Sequence, residues 1–298
     1  MSFMSTKKTR RLRKINLPSV SEFRRKVYAY YRTHGRHDLL WRKTHDPYRI
    51  LVSEVMLQQT QVPRVIEKYK EFLKRFPTVR ALAKARLAEV LKIWSGLGYN
   101  RRAKYLHDAA KQVVADYRGN IKEALAHPLP GVGPYTFAAV RVFAYNETHT
   151  MIETNIRAAF IHFFYASVLR KTSIADRELI PIIEKAAEGQ DPRTWHWALM
   201  DYGAYLKKSG IRNNHRSAHY VKQSKFEGSL RQVRGAILRE LHSSQLAEKA
   251  LMKMIMKQNP TIYGRKEIMI YQNKLNQALM GLERDGLLVK EKGSWRIA

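Results

Sequence analysis

Two glutamates and one glycine turn in this 298-residue chain have the residue types and settings to do chemistry. Glu54 falls within an apolar helical run, four residues after Ile50 and three from both Leu51 and Leu57, so its carboxylate lies at the margin of an apolar face. Desolvation there would raise its pKa and keep a proton available, although the same spacing also suits an exposed helical glutamate. Glu153 stands at the N-terminus of an apolar helix running through Tyr165. Unpaired amides favour the ionised form there, as they do for an ordinary end-of-helix acid. Between the two acids, Leu129-Pro130-Gly131-Val132-Gly133 makes a sharp turn, and Pro134 is pre-set for the first turn of the next helix. The amides after such a turn point outward with partial positive charge and suit a phosphate oxygen, or else the stretch is a plain loop.

These groups need a scaffold, and its pattern is helical. Spacings of three and four predict helices from Ser19, over Pro47 to about Gln59, and at 63–75, 78–84, 87–94 and 100–117. Further helices are expected from Pro134 to about Tyr145 and at 173–188, 191–206, 230–243, 245–257 and 265–285. A second glycine turn, Ser95-Gly96-Leu97-Gly98-Tyr99-Asn100, puts a leucine and a tyrosine ahead of Arg101, Arg102 and Lys104. Exposed apolar groups beside basic ones suit a wedge into a base stack, and a helix cap with Leu97 buried fits equally. The segments 287–290 and 295–297 form a terminal β-hairpin behind three helices, a winged-helix pattern. The expected organisation is a basic arm at 1–16, an all-α body at 17–206, a basic connector at 207–228 and a winged-helix-like domain at 229–298.

Composition narrows the function. Lys and Arg outnumber Asp and Glu by 55 to 25, for a net charge of +30, so a polyanion is the expected partner. The chain has no cysteine, which excludes disulfides and thiolate-held zinc or iron–sulfur sites. Its 11 histidines show no metal-ligand pairing. No run approaches about 18 apolar residues and no signal-peptide core opens the chain, so a membrane is not expected as partner.

Ser53-Glu54-Val55-Met56-Leu57-Gln58-Gln59-Thr60-Gln61-Val62, Trp94 to Tyr99 and Leu129 to Thr136 together resemble the MutY adenine-DNA glycosylases of the helix-hairpin-helix superfamily, in order and spacing, over about residues 20–206. The resemblance implies a two-lobed helical body that flips a base into a pocket, with Glu54 as general acid and Tyr135 in the pocket. Related bifunctional enzymes carry a lysine nucleophile at that hairpin position. Tyr135 forms no Schiff base, so base removal without β-elimination is implied. By the same resemblance Gln58, Gln59, Leu97, Gly98, Tyr99 and Arg101 meet the duplex near the lesion. Gly131, Val132, Gly133 and Thr136 grip its backbone, and K+ or Na+ can sit on the carbonyls of Leu129 and Val132. No other cofactor is implied.

Glu153 occupies the family's aspartate position, 18 residues after Tyr135, and Asn155 matches an asparagine two residues later. The glutamate is a departure, because its extra methylene moves the carboxylate. The basic connector stands where the family has a four-cysteine cluster loop, and the winged-helix-like unit where it has an 8-oxoguanine-recognition domain. The implied chemistry is the two-carboxylate logic of glycoside hydrolysis. Glu54 would be held protonated by its apolar setting and Glu153 ionised by its helix N-terminus. The expected enzyme is a monomeric, cytoplasmic, nucleoid-associated glycosylase acting on double-stranded DNA, removing adenine opposite 8-oxoguanine or guanine. Two alternatives remain at this stage: a thymine or uracil glycosylase acting opposite guanine, and a catalytically weakened DNA-binding relative.

Overall fold

Asp46 caps the helix that carries Glu54, its Oδ1 accepting from the amides of Tyr48 (2.8 Å) and Arg49, with Pro47 in the first turn where a missing amide proton costs nothing. In a computed structural model the chain is described over residues 19–166, 173–211, 213–221, 225–242, 244–257 and 265–298. The expected arm at 1–16 and Arg212 and Lys222 of the connector lie outside the described residues. The helices in chain order are α1 (Val20–His34), α2 (Pro47–Leu57), α3 (Val62–Arg75), α4 (Val79–Lys84), α5 (Leu87–Trp94), α6 (Arg101–Tyr117), α7 (Ile121–Ala124) and α8 (Pro134–Tyr145). They continue with α9 (Thr154–Tyr165), α10 (Asp176–Ala187), α11 (Pro192–Lys208), α12 (Leu230–Glu240), α13 (Glu248–Lys257) and α14 (Arg265–Arg284). Among the described residues the strands are β1 (Leu246–Ala247), β2 (Leu288–Glu291) and β3 (Ser294–Ile297). Among the described residues no helix is long and apolar enough to cross a membrane.

The chain divides into two compact units. Among the described residues, one comprises 19–35, Ile152–Gln190 and Thr194–Tyr220. Its core is aromatic: Phe23 of α1 lies 4.7 Å from Phe160, 5.1 Å from Phe164 and 6.0 Å from Trp195, ring centre to ring centre. The connector as far as Tyr220 belongs to this unit, through a turn at Asn213–Arg216, where Ile174 donates its amide to Arg216 O (2.7 Å) and accepts from the Ala218 amide (3.0 Å).

The other unit comprises Arg36–Met151, Asp191–Arg193 and Val221–Ala298. Met56, Phe72, Leu82, Val90 and Trp94 are fully buried within it. Its C-terminal stretch packs α12, α13 and α14 with an antiparallel sheet of order β1-β3-β2, in which Leu246 pairs with Trp295 and Leu288 with Ile297. The sequence reading started a helix at 245, whereas residues 246–247 form β1 and the helix begins at Glu248. Two residues are too short for alternation to register, and only the edge of β3 makes them a strand.

Candidate functional site

Residues 50–56 of α2 are buried without interruption, so this helix is enclosed on all sides. Glu54 is therefore not at the margin of an apolar face. It is 6% exposed, and it accepts a hydrogen bond at Oε2 from the Tyr135 hydroxyl (3.2 Å). Tyr135 and Thr136 open α8 directly after the glycine turn. The buried Thr136 Oγ1 accepts from Gln58 Nε2 at 3.2 Å, so the end of α2 and the start of α8 are tied at two points.

The turn has the geometry its glycines suggest. Gly131 has φ +72°, and a Cβ added there would stand 2.8 Å from the Tyr105 Cβ, so only glycine fits. The Val132 amide bonds to Leu129 O at 3.1 Å, and extended Gly133 leads into α8. Gly131 and Gly133 face solvent, and Val132 is half-buried.

The two loops that resemble duplex-entering segments are joined by a residue that sequence reading passed over as one more basic group. Arg102 donates Nη1 to the carbonyls of Val55 (2.8 Å), Met56 (3.0 Å) and Gln58 (2.5 Å). Its Nη2 donates to Thr60 Oγ1 (3.1 Å) and Gly98 O (3.0 Å). The guanidinium thus closes the C-terminal carbonyls of α2 and pins the glycine loop beside them. Burial lowers its pKa to about 10, which leaves it charged at neutral pH. Helix α2 stops at Leu57, short of the expected Gln59, and Gln59 is exposed with a left-handed φ of +54°.

Leu97 is not at an exposed tip. It is 3% exposed, because its amide returns to Trp94 O (3.1 Å) and folds the side chain inward. The surface of that loop belongs to exposed Gly96 and to half-buried Gly98 and Tyr99, with φ of +92°, +73° and +48°, and is followed by exposed Arg101.

Glu153 and Asn155 lie in the other unit, at the start of α9. Glu153 caps the helix, its Oε1 accepting from the amides of Asn155 (2.8 Å) and Ile156 (2.9 Å) and its Oε2 from Asn155 Nδ2 (3.2 Å). The expected net lowering of its pKa is reversed. Burial pushes the carboxyl up, and the two amides, Arg157 and the Asn155 side chain pull it down only in part. The residue as a whole remains half-buried, so the penalty falls on the carboxyl rather than on every atom. The start of α9 is positioned from two sides. Arg157 makes a bidentate pair with Asp176 (2.7 and 2.7 Å), and Gly203 of α11 lies against the Asn155 backbone. A glycine in the middle of a helix was the available signal for that close approach, and it was missed.

Residues 52–188 match the HhH-GPD superfamily of base excision DNA repair proteins. The adenine DNA glycosylase of Mycolicibacterium smegmatis is 34% identical over 229 residues, covering 71% of this chain and 78% of the relative. The chain belongs to the MutY-type adenine DNA glycosylase family. The family member of Buchnera aphidicola from Acyrthosiphon pisum is 31% identical over 186 residues, which cover 62% of this chain and 53% of the relative. The chain therefore spans about half the length of the Buchnera family members it matches. Among solved structures, a thermostable thymine-DNA glycosylase superposes with a TM-score of 0.52 at 28% identity, covering 62% of this chain and 86% of that one. The family match contains Glu54, Tyr135, Glu153 and Asn155, the loops at 58–61 and 95–100, and Arg102.

Proposed function

We propose that this chain is a DNA N-glycosylase that flips an adenine out of a mispair with 8-oxoguanine or guanine and removes it by hydrolysis. The observation that carries the reading is the buried Glu54 carboxyl bonded to Tyr135, where the glutamate-bearing helix meets the helix after the glycine turn. Glu54 delivers its proton to purine N7, and the bond from C1′ to N9 breaks with its electron pair going to the base. Glu153 stabilises the cationic sugar. Water then adds to C1′ and gives up a proton to a carboxylate. Burial disfavours the Glu153 anion in the free protein, while its amide donors and Arg157 favour it. Positive charge developing on the sugar adds to the groups that favour the anion. Tyr135 offers no amine, so the reaction ends at an abasic site with the strand intact.

Double-stranded DNA is the partner that a net charge of +30 suits. The turn from Leu129 to Gly133 supplies neutral carbonyls and no carboxylate, a donor set that fits K+ or Na+ on Leu129 and Val132. Such an ion would add positive charge beside a DNA phosphate.

End-labelled duplexes carrying A·8-oxoguanine, A·G, T·G and U·G mispairs, incubated with the protein and then treated with alkali, test the proposal. T·G and U·G are included because a thymine-DNA glycosylase is among the structural neighbours. Alkali-dependent cleavage at adenine is expected. Cleavage at thymine or uracil alone would overturn the base assignment, and strand breaks before alkali would overturn the hydrolytic one.

A further inference from the structure

Tyr99 holds a backbone conformation that an aromatic residue rarely adopts, with φ +48°. Such a conformation persists where its surroundings hold it. Part of that hold comes from the C-terminal stretch. Arg231, in the first turn of α12, donates Nη1 to the Tyr99 hydroxyl at 2.6 Å, and its guanidinium lies 5.3 Å from the Tyr99 ring centre and 5.6 Å from that of Phe226. Arg102 lies 5.6 Å from the same Tyr99 ring, so two guanidiniums border it.

A second attachment stands beside the first. Asp285, just past the end of α14, has a side chain only 11% exposed and accepts from Arg101 Nη1 (3.2 Å) and from Arg234. Arg231 and Arg234 are three residues apart and share one face of α12, while Tyr99 and Arg101 bracket the start of α6. The next residue, Gly286, has φ +65°, and a Cβ added there would meet Lys104 Cε at 2.9 Å. The C-terminal stretch therefore grips the glycine loop and the first turn of α6 at neighbouring points.

We infer that Arg231 is a positioning residue for Tyr99, by which the C-terminal three-helix module braces the second duplex-facing loop before DNA is met. This rests on the base-flipping function proposed above. A loop already held in place loses less conformational freedom on entering the duplex, so the brace favours the flipped state. Nothing in the module need touch the target base.

Hydrogen exchange of the full-length free protein tests the brace apart from catalysis. In Arg231→Met, exchange of the amides at 96–100 is expected to rise about tenfold, as the loss of one charge-assisted hydrogen bond implies. Tyr99→Phe removes only the accepting oxygen and is expected to give a similar rise. Combined with Arg231→Met, it is expected to add little. Arg231→Lys keeps the charge without the planar fork and should recover part of the protection. On an A·8-oxoguanine duplex, single-turnover base release by Arg231→Met is expected to fall about tenfold, with KM changed less than kcat. Unchanged exchange in both Arg231→Met and Tyr99→Phe overturns the brace. Faster exchange with unchanged release overturns its role in positioning. A wild-type protein that releases no base overturns the proposed function instead, and the exchange comparison still decides whether Arg231 holds the loop.

Discussion

Glu54→Gln is expected to lower single-turnover base release by about 10³-fold while shifting the melting temperature by no more than a few degrees. The exchange is nearly isosteric, and the amide oxygen can still accept from the Tyr135 hydroxyl that now lies 3.2 Å from Oε2. On the proposed mechanism, what disappears is the proton, and with it protonation of the leaving base. Since Glu54 is enclosed within α2 and 6% exposed, bulk acid has no easy route to replace it. Binding to an A·8-oxoguanine duplex should stay within about threefold, because no phosphate contact is touched. A variant that keeps wild-type release would remove Glu54 from the chemistry. Loss of release together with loss of folding, read by circular dichroism, would make the residue structural.

Gly203→Ala is expected to destabilise the protein by about 3 kcal/mol, an overpacking cost at the upper end of the usual range. The added Cβ would stand 2.1 Å from Asn155 O, 2.6 Å from its carbonyl carbon and 2.8 Å from its Cα. Backbone cannot swing aside as a side chain can, so either α11 or the start of α9 must move. That start carries the Glu153 cap, so base release should fall along with stability. Gly235→Ala in α12 is the contrast, since its Cβ would meet nothing closer than Arg239 Nη1 at 3.8 Å. There the better helix former should be neutral or stabilising by up to about 1 kcal/mol. Urea midpoints of the two variants measure both effects, and equal midpoints would contradict the packing argument.

Helix positions were legible because local spacing determines them: α3, α5 and α6 each start or end within a residue of the expected ranges. The turn at Gly131 was legible for a similar reason, since two glycines and a proline restrict what the backbone does there. What could not be read was whatever distant packing decides. The helix pattern located Glu54 but not its enclosure, which needs the elements packed on every side of α2. It located Glu153 at a helix start, yet the direction of its pKa depends on burial, which a local rule does not carry. Leu97 followed the cap reading, because Trp94 turns the loop back on itself. Arg102 acts through α2 carbonyls far away in sequence, so its type did not announce it, and Gly203 offered only the signal of a glycine inside a helix, with nothing local to name the Asn155 backbone it meets.

Protonation of the leaving base by Glu54 is tested most directly by replacing the target adenine with 7-deazaadenine, which lacks the nitrogen that would receive the proton. Single-turnover release should be measured for both bases opposite 8-oxoguanine, alongside the affinity for each duplex. The expected result is rapid release of adenine and none of the analogue, with both duplexes bound alike. Release of the analogue at the adenine rate would contradict proton delivery to N7 and leave Glu54 without its proposed task.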